Sequence, residues 1–496
     1  MYLLGALVGF VVMRFGFGPA SASMHLRPEY DLNIYYLIGQ GWFQGDIPYR
    51  DLTDLKGPVV FLLHGIGACM TPGSFLGACL VESLLLGVGV LYAYRSVRLF
   101  FSVSVSLAVL GIYSVSLLYF SLHPAEMVWV LQHVAVFYLL RWSRDNELPG
   151  LRQQLILGLS AGVVLLIKFN LVAFWLPFCL WGFLVTGRNW WRALSVQLAG
   201  VSIPLLLAGL YFYQQSALDD LWREYVVLAL QYGGCAWSES AMTVRGWLLA
   251  SEIVPLHLHQ SIPETLAACM GWFSLLPCVF LPQILKPRTR AIVMGVLAVA
   301  FVLQLFASYG GSRCFIHYAF VFYPYWLLGL LVLANKLGRV TIWAGCCALP
   351  GVLSFAVGLP LAVKCLKPDN GNAEIKLASD ALATMVSGAH DADLLVLDVE
   401  HALHLYRLSG KRPGSQHFIP AMVPGGMEQH LAELETEIRK RNPRYVLSTA
   451  ARTSRDAELL KRIPCDYRAC RHAELGLPAF PSQAKRPEFV LYKGEE

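Results

Sequence analysis

Charge is what this 496-residue sequence has least of. Asp, Glu, Lys and Arg make up 15% of it against 56% hydrophobic residues, where about a quarter of a soluble domain is normally charged. That shortage excludes an ordinary soluble globule. The polar C-terminal stretch from 366 has no glycine-rich phosphate loop, so it is assigned no nucleotide site. No Cys and His stand at metal-type spacing, which speaks against a zinc site. No internal repeat is visible, and repeats are what many transporters show. The net charge of +6 lies mostly beside apolar runs, which leaves nucleic acid off the partner list.

What is present is apolar sequence in long runs. Mean hydropathy is +0.52, with 13 Trp, 22 Tyr and 26 Phe. Runs of about 17 to 25 residues can cross a hydrocarbon core of about 30 Å. About eleven such runs lie near 1–18, 75–94, 101–120, 126–141, 153–168, 169–186, 193–213, 263–285, 290–308, 318–335 and 340–363. Lys168 and Asn170 divide 153–186 into two spans with a tight turn between them. The expected fold is a polytopic α-helical membrane protein of about eleven transmembrane helices. The first run carries no small-residue cleavage pattern and reads as a retained anchor.

Basic residues set the orientation. Arg95 and Arg98, then Arg141, Arg144 and Arg152, then Arg188 and Arg192, then Lys286, Arg288 and Arg290, and finally Lys336 and Arg339 fall on alternate connections. By the positive-inside rule these connections and the N-terminus are cytoplasmic, and an odd helix number puts the C-terminus outside. Two connections on the outer side are long, 19–74 and 214–262. The second contains LDDLWREYVVLALQY and GWLLASEIVPLHLHQ, aromatic amphipathic stretches that suit either a cavity roof or linkers resting on headgroups.

The chain divides into a membrane part, 1–365, and a polar tail, 366–496. In the tail, DLLVLDV (393–399), RYVLST (444–449) and EFVLYK (488–493) read as strands, with helical stretches between them. This is the pattern of a small extracytoplasmic α/β domain. Cys465 and Cys470 are either a disulfide in that exported tail or two free thiols.

Ionisable groups beside the hydrocarbon region are costly, which makes the few on the outer side functional candidates. They are Glu29, Asp31, Asp51, Asp54 and Lys56 in the first loop, then Glu126, Lys168, Arg313 and His317. Each has a plainer reading. Asp31 suits a helix N-cap, Lys56 an interfacial snorkelling lysine, and Asp54 or Glu126 a cap or a surface pair. Arg313 and His317 suit an ordinary interfacial loop. Arg50 with Asp51 reads as a solvated pair, and His64, His257 and His259 as structural histidines.

The run EYDLNIYYLIGQGWFQGDIPYRDLTDLKGPVVFLLHGIG resembles the first extracytoplasmic loop of GT-C superfamily glycosyltransferases. The branch it is most similar to is related to protein O-mannosyltransferases and to the transferase that adds aminoarabinose to lipid A. HPAEMVWV, LLIKFN, GSRCFIHYAFVFYP and DLLVLDVEHALHLYRLSGKRP look like features of the same branch. The resemblance implies that Asp31 is the catalytic base, with Glu29 as the other candidate because the acids are split as Glu29-Tyr30-Asp31. It implies that Lys56 contacts the donor phosphate, although a glycine separates it from Pro58. Asp54 falls near the acid that precedes that lysine, and Glu126 resembles a second-loop acid. These two are supporting acids or metal ligands, and a divalent cation is compatible with the site.

The chemistry wants the same residue types. Sugar transfer from a polyprenyl phosphate needs a base at the acceptor oxygen and positive charge at the departing phosphate. Lys56, with Arg313 and His317, is the cationic set expected to bind that phosphate. The reading is a glycosyltransferase of a bacterial cytoplasmic membrane. It would move a sugar from a polyprenyl-phosphate donor to a glycolipid, polysaccharide or protein acceptor of the envelope by inverting displacement. The other class is a transporter or lipid flippase of the same pathway.

Overall fold

The computed structural model describes residues 30–115, 124–145, 149–185, 190–230, 281–309 and 321–336, four strands of the tail and a few single tail residues. The expected spans near 1–18 and 340–363, all but the last five residues of 263–285, and the boundary near 365 lie outside these residues.

The described part of the first long loop, 30–74, contains two helices. Helix α1 (Tyr30–Phe43) carries Asp31 in its first turn, where a negative charge is favourable. It ends as the chain turns through Gly45 at φ 104°, a conformation glycine adopts without a steric penalty. Helix α2 (Pro58–Met70) starts on Pro58, whose missing N–H costs nothing at that position. The two helices cross at Gly39 and Gly65, where a Cβ on either would run into the other helix's backbone. Neither helix is long enough to appear in a count of spans, which is why the sequence reads as loop here.

The bundle follows as α3 (Leu76–Arg98), α4 (Val103–Val115), α5 (Pro124–Asp145) and α6 (Leu151–Leu165). Next come a 3-10 turn (Phe169–Phe174), α7 (Trp175–Val185) and α8 (Trp190–Gln214). A short helical stretch, Leu218–Leu221, leads into a π turn, Trp222–Val227, and α9 covers Pro287–Tyr309. Residues 323–336 form α10. The break expected at Lys168 and Asn170 is present as the 3-10 turn, pinned to α9 by a bond from Asn170 Nδ2 to the Ala307 carbonyl at 2.5 Å.

Among the described residues three helices, Leu76–Arg98, Trp190–Gln214 and Pro287–Ser308, are long and apolar enough to cross a membrane. The least enclosed is α8, with 17% of its apolar window buried against 61% for α3. Leu206, Leu207 and Leu210 lie on its open side, as expected of a lipid-facing helix. Its inner side packs on α6 through small residues. Gly158 and Gly162 meet Gln197 and Val201, and Gly200 meets Leu155 and Leu159, with no room for a Cβ at any of the three glycines.

Buried polar pairs join the helices where no water competes. The Ser143 and Thr289 hydroxyls lie 2.7 Å apart between α5 and α9, and Gln132 donates to Gln304 at 3.4 Å on the same pair. Gln154 and Gln197 bond between α6 and α8. Trp129 Nε1 donates to the Tyr113 hydroxyl at 2.8 Å, and that hydroxyl lies 2.9 Å from His133 Nε2. With His133 Nδ1 at 3.0 Å from the Trp129 carbonyl, one tautomer satisfies every partner: Nδ1 carries the proton and Nε2 accepts from Tyr113.

In the tail, β1 (Leu394–Val396), β2 (Tyr445–Thr449), β3 (Tyr467–Cys470) and β4 (Phe489–Gly494) form one sheet in the order β1-β2-β4-β3. Strand β1 is parallel to β2, with Leu395 opposite Val446, and β4 is antiparallel to both β2 and β3. Three of the four strands coincide with the segments read as strands, β4 running one residue further to Gly494. The fourth, YRAC, is the stretch where the sequence offered only its cysteines. Whether Cys465 and Cys470 are bonded lies outside the described residues.

Candidate active site in the first loop

The fourteen residues between α1 and α2 make a tight, anchored loop. The Ile47 N–H donates to Asp51 Oδ2 at 2.7 Å, and the Tyr49 N–H donates to the Leu52 carbonyl at 2.8 Å. Beyond the charged stretch, the Gly57 N–H bonds the Ile167 carbonyl at 3.0 Å and the Val59 N–H bonds the Leu166 carbonyl at 3.1 Å. A Cβ on Gly57 would fall on the Leu166 carbonyl, so only glycine permits this approach. The loop end is therefore fastened to the turn that carries Lys168.

That anchoring brings three of the expected residues together. Lys56 Nζ lies 3.9 Å from Asp54 Oδ1, with the side chains 22% and 10% exposed. The same ammonium stands 5.6 Å from the centre of the Tyr35 ring, a cation–π contact, and the Tyr35 hydroxyl donates to Asp31 Oδ2 at 3.2 Å. Asp31, Tyr35, Asp54 and Lys56 thus form one cluster at the start of α1 and α2. Asp54 Oδ1 also accepts the Leu55 N–H at 2.6 Å, while Oδ2 is buried with no hydrogen-bond partner among the described residues.

The electrostatics follow from burial. Loss of water raises the Asp54 carboxyl above the usual carboxylate range; Lys56 opposes this, Asp31 adds to it, and the Leu55 N–H opposes it. Burial, helped by Tyr225 and Asp54, likewise holds the Tyr49 phenol well above its ordinary value, so it stays a donor. Its proton goes to the Lys56 carbonyl at 2.7 Å.

Other expected residues fall differently. Arg50 and Asp51 form a 3.4 Å pair on the surface, 43% and 38% exposed, as read. His64 is buried, bonds the Val60 carbonyl through Nδ1 at 2.8 Å, and packs edge-on against Tyr35 at 5.3 Å. That makes it a neighbour of the cluster. Glu126 stands in the first turn of α5, but its side chain is not among those described. Glu29, Arg313, His317, His257 and His259 lie outside the described residues. Among the described residues no three His, Cys, Asp or Glu side chains are grouped as a metal site would require.

Two features escaped the sequence reading. One is the aromatic packing around Tyr49, which meets Phe61, Phe212 and Tyr225 at ring distances of 5.7, 5.6 and 6.2 Å. The other is Glu82, 1% exposed inside α3. Gly89 faces Trp129, and Tyr92 packs on Phe137 and Tyr138, so α3 and α5 run parallel. Glu82, two turns before Gly89 on the same face, is level with the start of α5, where Glu126 stands. A single acid within an apolar run was the available signal.

No family model matches the sequence, and no curated protein matches it. Several solved structures are similar. An archaeal oligosaccharyltransferase, AglB from Archaeoglobus fulgidus in complex with an inhibitory peptide and a dolichol-phosphate, aligns over 91% of this chain and 69% of its own, at 12% identity and a TM-score of 0.43. ArnT from Cupriavidus metallidurans aligns in the apo state over 99% of this chain and 96% of its own, at 11% identity and a TM-score of 0.44. The same protein bound to undecaprenyl phosphate aligns over 99% and 97%, at 12% identity and a TM-score of 0.42.

Proposed function

We propose that this chain is an integral-membrane glycosyltransferase that moves a sugar from a polyprenyl-phosphate donor to an envelope acceptor. One observation supports the reading above all: Asp31, Asp54 and Lys56, read from sequence as base, supporting acid and phosphate contact, share one cluster bridged by Tyr35. In one inverting displacement the acceptor oxygen gives its proton to the Asp31 carboxylate and forms a bond to the sugar C1. The bond from C1 to the phosphate oxygen breaks on the opposite face, and the polyprenyl phosphate leaves with the electron pair. Lys56 neutralises the charge that builds on that phosphate. Arg313 and His317 complete the phosphate grip in this proposal, Glu29 is the alternative base, and Glu126 is a second supporting acid.

The basic-residue pattern supports an extracytoplasmic position for this cluster, next to lipid, where a polyprenyl-linked donor diffuses and a nucleotide sugar does not. The test is transfer by the full chain in lipid vesicles, given either a labelled polyprenyl monophosphate sugar or a nucleotide sugar. Transfer is expected from the first only, falling by about 10²–10⁴-fold in Asp31→Asn, which keeps shape but removes the base. Direct transfer from the nucleotide sugar would defeat the donor assignment. Movement of intact lipid across the bilayer with no new glycosidic bond would favour the flippase class.

A further inference from the structure

Tyr49 occupies a backbone conformation that a bulky residue rarely takes. Its φ is 72°, in the left-handed region where glycine or asparagine is usual. A tyrosine held there by its surroundings is best explained by what its side chain does. The ring is fully buried and touches Phe61 of α2, Phe212 of α8 and Tyr225 of the π turn. The hydroxyl spans seven residues along the chain to the Lys56 carbonyl. Tyr225 continues the connection, with its ring against Phe169 at 5.7 Å and its hydroxyl on the Leu165 carbonyl at 2.6 Å.

We infer that Tyr49 is a positioning residue for Lys56, and that Tyr225 ties it to the Trp222–Val227 turn, so that the grip on an anionic lipid headgroup depends on that second segment. Tyr49 fixes the carbonyl of the residue whose ammonium meets the phosphate, while Gly57, one residue on, is fixed by Ile167. Lys56 is thus held on both sides along the backbone. The π turn is an irregular helix of the kind found at functional sites. The inference rests on the phosphate role given to Lys56 under the proposed function.

The experiment measures binding of polyprenyl monophosphate to the full chain in lipid nanodiscs, for the parent, Tyr49→Phe, Tyr225→Phe, Lys56→Ala, Tyr49→Phe with Lys56→Ala and Tyr225→Phe with Lys56→Ala. Loss of one buried hydrogen bond predicts a weakening of about two- to tenfold for Tyr49→Phe, and a smaller one for Tyr225→Phe. With Lys56 already replaced by alanine, Tyr49→Phe is expected to change binding no further, a non-additivity that a merely structural residue would not show. Equal losses on both backgrounds, or unchanged binding in Tyr49→Phe when Lys56→Ala is impaired, would overturn the inference and leave the function standing. Unchanged binding in Lys56→Ala would overturn the phosphate role itself, and the inference with it. If Tyr49→Phe does not fold, the Tyr225→Phe pair of backgrounds decides by the same comparison.

Discussion

Replacing Asp54 with asparagine tests whether the charges in the loop compete. The carboxylate stands 3.9 Å from the Lys56 ammonium. At an effective dielectric of about 20 that pair attracts by about 4 kcal/mol. A phosphate arriving at Lys56 must take the ammonium from this partner. If about a quarter of the attraction survives solvent and side-chain relaxation, removing it tightens phosphate binding by about 1 kcal/mol, on the order of fivefold. The variant also removes a buried charge. Because burial raises Asp54 in the folded chain, the folded state holds this proton more tightly than the unfolded state. The parent's stability therefore falls as pH rises from the ordinary carboxyl value through the folded one. The asparagine variant lacks that slope. Its thermal midpoint in nanodiscs is expected above the parent's at pH 8, with the gap closing as pH falls toward 5. Titration with polyprenyl monophosphate at pH 7.5 and thermal unfolding across that pH range supply both readings. Weaker phosphate binding in Asp54→Asn would refute the competition and show that Asp54 aims Lys56 instead.

Gly57→Ala puts a methyl group onto the Leu166 carbonyl, and is expected to cost about 1–3 kcal/mol of stability and to lower donor affinity; thermal unfolding and the same titration check it, with a silent substitution counting against the close approach. Tyr113→Phe strands the Trp129 N–H and His133 Nε2. It should destabilise by about 1–3 kcal/mol while leaving donor binding unchanged, and a loss of binding at equal stability would tie that triad to the site. Single cysteines at Asp54 and in the tail beyond 367 are both expected to react with an impermeant reagent on intact cells. Labelling of the first without the second would break the predicted odd number of spans.

The charged loop was legible because it broke a pattern. Two aspartates, an arginine and a lysine before Gly57-Pro58 stand out in a chain so poor in charge, and three of the residues singled out there, Asp31, Asp54 and Lys56, meet in space. The break at Lys168 and Asn170 was legible for the same reason, as polar residues inside an apolar run. Tyr49 was not, because nothing local distinguishes it among 22 tyrosines. Its partners Phe212 and Tyr225 are more than 160 positions away, and only packing reveals them. The helices α1 and α2 were hidden by length, since each is too short to span and is stabilised by the Gly39–Gly65 crossing. Glu82 was visible but submerged in an average: one acid hardly changes the hydropathy of a long run, yet it is the residue that run has most trouble burying. The strand YRAC alternates too briefly, and with too much alanine and arginine, to announce itself.

The way α2 begins has an electrostatic consequence. Helix N-termini ordinarily present free N–H groups and a partial positive charge, a ready seat for a phosphate. At α2 the N–H groups of Gly57 and Val59 already serve the carbonyls of Ile167 and Leu166, and Pro58 has none. The positive end of α2 meets the negative end of α6, and the two partial charges largely cancel. No rim of backbone donors is left at α2 to cradle an anion, so attraction at this edge falls to the ammonium of Lys56. Under the proposed function, a point charge on a flexible stem would hold the donor phosphate less rigidly than a backbone nest does, and would release a spent lipid carrier without any rearrangement of the fold.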